Sequence, residues 1–268
     1  MRARGAILLL SAAACAGCVG TTGGELLSFE AFAAGPEDAV EGEPYRFTTG
    51  RGFEVALTRA RLRIGAVYLN RSVPTSVASD TSCMLPGIYV AEVPYGLEVD
   101  ALSPALQAFP GMGFATSERA RTGELWLTGG DLYDEDDPTI ILDVAGAAAK
   151  DGADFPFEGT ITIGRNRVVP PPSPAAPGAK PICKQRVVTP IPLDITPRSG
   201  GRLVVRIDPS GLFSNVDFSL LARVEDEGEG GAPRYRFLDS AEDQPSKNLH
   251  AGLRASVGVY TIRWEEPR

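Results

Sequence analysis

An all-β fold is what this chain predicts: an antiparallel β-sandwich, immunoglobulin-like or jelly-roll-like, with a long Pro-rich loop and few short helices. Three observations carry the expectation. Short runs of β-branched and aromatic residues recur along the chain, turn residues separate them, and helix-period stretches are scarce. Hydrophobic residues make up 43% of the 268, enough for a packed core.

The elements follow in order. Leu26, Leu27, Phe29 and Phe32 interrupt a segment rich in Gly, Ala and Thr; they read as a short edge strand within a flexible tether over residues 18–43. The sandwich domain then spans 44–268. Phe53, Val55 and Leu57 alternate with Glu54, Ala56 and Thr58, and the phase then slips by one, so that Ala60, Leu62 and Ile64 oppose Arg59, Arg61 and Arg63. A one-residue slip moves a whole side-chain set across a sheet, so a bulge near Leu57–Ala60 is implied. The three arginines read as a solvated or carboxylate-paired face. Further strands are expected at Ile88–Val93, Gly123–Leu127, Thr139–Val144, Thr160–Ile163, Arg186–Val188, Arg202–Ile207, Val216–Leu221, Tyr235–Leu238 and Leu253–Trp264. Asp100–Phe109 and Ala145–Lys150 are the candidate helices. Phe213 and Phe218 read as core. The prolines of residues 168–181 exclude a central strand; this stretch is either a long loop or a subdivision of the domain.

Arg2 and Arg4 precede a short apolar run, Ala6–Ala14, which leads through small residues to Cys15-Ala16-Gly17-Cys18. The run is too short to span a membrane, which takes about 20 apolar residues. The pattern resembles a bacterial lipoprotein signal peptide. The resemblance implies cleavage after residue 17, acylation of Cys18 (alternatively Cys15) and an outer-membrane lipid anchor. It covers residues 1–17 and the following cysteine alone.

Beyond Cys18 two cysteines remain, Cys83 and Cys183. An even count in an exported chain reads as a disulfide. Closing a loop of about 100 residues stabilises by roughly 4–5 kcal/mol on chain entropy alone. The formal charge is −8, from 26 basic and 34 acidic residues. Such a chain lacks the positive footprint that nucleic-acid binding needs.

Candidate chemistry is sparse. The one histidine, His250, has no Gly-x-Ser-x-Gly elbow to serve and reads as an exposed loop residue. Zinc spacings, a Walker loop and a Rossmann fingerprint are all absent. The sharpest local feature is the acidic run Asp131–Asp137, with five carboxylates in seven residues. Calcium takes six to eight oxygens and suits such loops; Asp131, Asp134 and Asp136 are the expected ligands, with a backbone carbonyl of Leu132 or Tyr133 completing the shell. The function expected is therefore non-enzymatic: a lipid-anchored envelope protein with a binding or structural role toward a protein or glycan partner. The alternatives are a glycosidase-like enzyme built on paired carboxylates and a calcium-stabilised adhesive or sugar-binding module.

Overall fold

The computed structural model describes residues 26–73, 87–166, 181–224, 233–240 and 242–266. Its strands are β1 (Leu26–Ala34), β2 (Tyr45–Thr48), β3 (Glu54–Ile64), β4 (Ala66–Asn70), β5 (Tyr89–Val93), β6 (Leu97–Asp100), β7 (Gln107–Ala108) and β8 (Gly113–Thr116). They continue with β9 (Ala120–Trp126), β10 (Ile140–Lys150), β11 (Ala153–Thr162), β12 (Val187–Ile195), β13 (Arg202–Ile207), β14 (Ala222–Val224), β15 (Arg234–Phe237) and β16 (Tyr260–Glu265). The helices are α1 (Ile163–Asn166), α2 (Ile182–Gln185) and α3 (Gln244–Leu253).

The fold is an all-β sandwich of two sheets. The first runs β12-β9-β4-β5-β8-β1-β13-β16, with β7 beside β1; the second runs β14-β15-β11-β10-β3-β2, with β6 beside β3. Pairing is antiparallel except for β1 with β13 and β11 with β15, which are parallel. The end strands β12 and β16 of the first sheet pack together and curl it nearly into a barrel. One apolar cluster fills the interior and draws on residues both before and after the Pro-rich stretch, from Phe29 to Ile262.

The bulge implied by the sequence lies at Thr58. Arg59 pairs with Ala145 and Leu57 with Gly146, which leaves Thr58 unpaired in that ladder. Gly146 is required there, because a Cβ would stand 2.4 Å from the Ala56 carbonyl oxygen. The Arg59 face looks away from the core, and Arg59 pairs with Asp143 at 2.9 Å. β10 and β11 are joined by Asp151-Gly152, both at positive φ, the two-residue turn whose twist matches a hairpin.

Several expectations need correction. Residues 26–34 are not tether: β1 is an interior strand, because Leu27, Phe29, Ala31 and Ala33 alternate into the core and the small alanines let it lie between β8 and β13. Asp100–Phe109 forms no helix; Asp100 accepts a hydrogen bond from the Leu102 amide and ends β6 in a turn. Ala145–Lys150 belongs to β10. Val216–Leu221 is not a strand, since Asp217 caps a 3-10 turn over Phe218–Leu220. Phe213 and Phe218 are core, packed with Phe157 and Phe237.

Candidate functional site

The first sheet presents its most distinctive chemistry on the side away from the core. Val67 and Leu69 of β4 and Leu125 of β9 point into the apolar cluster, so alternation sends Tyr68, Glu124 and Trp126 to the opposite face. Strand register then aligns residues remote in sequence. Glu124 pairs with Tyr68, Tyr68 with Glu92, Glu92 with Phe114 and Phe114 with Ser28. Across five strands this makes one row of carboxylate, ring, carboxylate, ring and hydroxyl.

Glu124 organises the row. It is 1% exposed and accepts hydrogen bonds from Asn70 Nδ2 at 2.8 Å, the Tyr89 hydroxyl at 3.2 Å and Trp126 Nε1 at 3.4 Å. Burial raises its pKa above the usual carboxylate value; those three donors and the charge of Lys184 oppose the rise. Burial and the nearby carboxylates also push the Tyr68 and Tyr89 hydroxyls up, so both stay protonated at neutral pH. The rings touch: Tyr68 lies 4.5 Å from Trp126 and 5.0 Å from Tyr89 between centroids. The buried carboxylate thus fixes two rings on either side of a third. Beyond Trp126, a second apolar cluster of Leu132, Cys183 and Val187 closes that side.

The acidic run is folded by its own backbone. Asp131 accepts from the Tyr133 amide, Asp134 from the Asp136 amide, and Asp137 from the Thr139 amide and hydroxyl. Burial would raise the pKa of Asp137, but the bonds from Thr139, the charge of Arg186 and the Gly129 amide outweigh it and hold the carboxyl below its usual range. Arg186, 1% exposed, donates to the carbonyls of Asp131 and Leu132, both at 2.9 Å. The Leu132 carbonyl expected to join a calcium shell is thus occupied by a guanidinium. Among the described residues no three His, Cys, Asp or Glu side chains gather to hold a metal, and Asp131, Asp134 and Asp136 are no exception. Millimolar calcium or chelator is accordingly expected to leave the melting temperature within about 1 °C; a rise of several degrees with calcium would restore the metal reading.

His250 is not an exposed loop residue. It sits on α3, buried on the face shared with Ser246, Leu249 and Leu253. Burial pushes its pKa down to about 4, with Arg254 adding to the effect. Arg254 in turn donates to the Lys184 carbonyl at 3.2 Å, which ties α3 to α2. Cys183 is fully buried and disulfide-bonded. Cys83, Cys15 and Cys18 lie outside the described residues. Among those described, no helix is long and apolar enough to cross a membrane.

Comparison with known proteins adds no relative: no family model, curated protein or solved structure matches this chain. The row through Glu124 and Tyr68 was missed in the sequence, where its members are spread from residue 28 to residue 124. The one local sign was an acid, Glu124, set inside the apolar strand Gly123–Leu127.

Proposed function

We propose that this chain is a non-enzymatic, lipid-anchored protein of the outer membrane that binds a glycan on the outer face of its first sheet. The observation supporting this reading is the row Glu124–Tyr68–Glu92–Phe114, flanked by Tyr89 and Trp126. Tyrosine and tryptophan combine a broad apolar face with a polar edge, which suits the apolar faces and hydroxyl rims of sugar rings. Glu92 is exposed beside Tyr68 and is free to accept hydroxyl hydrogen bonds. Glu124, already taken by three donors, is a positioning residue. The anchor is Cys18, with Cys15 the alternative, and the body is braced by a Cys83–Cys183 disulfide.

The test is calorimetric titration of the mature chain carrying Cys18→Ser with a panel of soluble oligosaccharides. Tyr68→Ala should weaken binding of any active glycan at least 10-fold, about 1.4 kcal/mol, with an unchanged circular dichroism spectrum. Affinity untouched by Tyr68→Ala, or no binding across the panel, overturns the proposal.

A second reading is a carboxylate-based glycosidase. It is favoured by Glu92 and Glu124 flanking Tyr68 on adjacent strands, with Cα atoms roughly 10 Å apart from two strand spacings, and by the raised pKa of Glu124, as a general acid requires. Release of reducing sugar that Glu92→Gln abolishes would promote it over simple binding.

A further inference from the structure

Resting on the lipid anchor proposed above, we infer that the protein docks on its own membrane through one end of the first sheet, by an apolar rim of Leu26, Val73, Ile88 and Tyr89. Strand register brings the four together. Leu26 opens β1 and pairs with Thr116, the last residue of β8. β8 lies beside β5, which opens with Tyr89, and Tyr89 pairs with Asn70, the last residue of β4. Just beyond, the Arg71 amide donates to the Ile88 carbonyl at 2.9 Å, and the Thr122 hydroxyl donates to the Ser72 carbonyl at 3.0 Å, which sets Val73 at the same edge. Their exposures are 74% for Leu26, 60% for Val73, 42% for Ile88 and 39% for Tyr89. Large apolar side chains exposed singly are ordinary; a group at one edge marks an interaction surface.

The length of chain before β1 selects the occupant. Leu26 follows Cys18 by eight residues, which reach at most about 28 Å when fully extended. A body of this size has a radius of gyration of roughly 18 Å, so its full width exceeds the tether. The end that carries Leu26 is therefore held next to the lipid. Charge agrees. The chain as a whole is acidic, yet among the described residues beside this rim Arg71, Arg119 and Arg121 stand with Glu118, paired with Arg71 at 3.0 Å, and Asp194, paired with Arg119. Anionic headgroups do not repel such an edge, and a tyrosine at the rim is at home at headgroup level.

The experiment compares amide hydrogen exchange in the lipidated mature chain, reconstituted in phosphatidylethanolamine–phosphatidylglycerol vesicles, with the Cys18→Ser chain in solution. Acyl labelling is read in parallel. The loops 71–73 and 117–119 should exchange several-fold more slowly on vesicles, while Tyr95 and Gly96, beyond the opposite end of β5, should not change. The triple variant Leu26→Glu, Val73→Glu, Ile88→Glu should lose the slowing and keep its acyl label and vesicle association. An acylated chain with no slowing at the rim, with equal slowing at both ends, or with slowing that survives the triple variant overturns the inference and leaves the anchor standing. Absence of acyl label from both Cys18 and Cys15 overturns the anchor and the inference with it.

Discussion

Arg186→Met is expected to lower the unfolding free energy by about 3–5 kcal/mol, read as a fall in the denaturant midpoint at unchanged slope. The guanidinium is buried, and its two 2.9 Å bonds to the Asp131 and Leu132 carbonyls hold the acidic loop against β12. Hydrogen bonds to a charged group contribute about 1.5–3 kcal/mol each. Methionine can fill the volume but leaves the Leu132 carbonyl in an apolar setting without its donor. Leu132 also packs with Cys183 and Val187 against Trp126, so the loss should reach the aromatic row and shift tryptophan fluorescence. Asp137→Asn is the control. Its carboxylate stands 3.9 Å from the guanidinium, so it should cost about 1 kcal/mol. A loss below about 1 kcal/mol for Arg186→Met would mean that the loop is held by other contacts.

The elements legible in the sequence are those whose signal is local. The phase slip of alternation at Thr58 pointed to the bulge, because the periodicity of a strand is a property of neighbouring residues. Arg202–Ile207, dense in β-branched residues, is β13 to the residue. Other local signals were present and outweighed. The alternation of Leu27, Phe29, Ala31 and Ala33 marks β1, yet small residues and glycines around it favoured a tether. Asp243 caps α3 by accepting from the Ser246 amide and hydroxyl, and Leu249 and Leu253 follow at helical spacing; among acidic neighbours this resembled a loop.

What local sequence does not contain is strand order. Glu124 meets Tyr68 because β9 lies beside β4, and Glu92 meets Phe114 because β5 lies beside β8. Those pairings depend on registers set by the whole sheet. The same holds for the rim at Leu26 and for Arg186, whose partners lie more than 50 residues upstream. The acidic run shows the converse. Its charge density was plain, but alongside its own amides and Thr139 it is held by Arg186, a cation from a different part of the chain that already sits where calcium was expected.

Acidification from pH 6.5 to pH 4 should cost about 3 kcal/mol of stability through His250 alone, at about 1.4 kcal/mol per pH unit. In the folded chain its pKa is pushed down to about 4 from 6.5, first by burial and then by Arg254. Its Nε2 is buried with no hydrogen-bond partner among the described residues. The unfolded chain therefore binds the proton first as pH falls below 6.5. Stability is full above that value, declines toward pH 4 and then levels off for this group. Other groups act elsewhere or with the opposite sign. Asp137, Asp194 and Asp217 have lowered values, so their contribution is lost only below about 3.8. Glu124, with a raised value, takes its proton earlier when folded and partly offsets the loss above about 4.5. His250→Phe keeps the ring volume and removes the titration. Its urea midpoint should stay flat or rise slightly between pH 6.5 and 4.5 while the wild type falls, and the two should decline together below about pH 3.8. Parallel curves from pH 7.5 to 4.5 would show that another group carries the acid sensitivity.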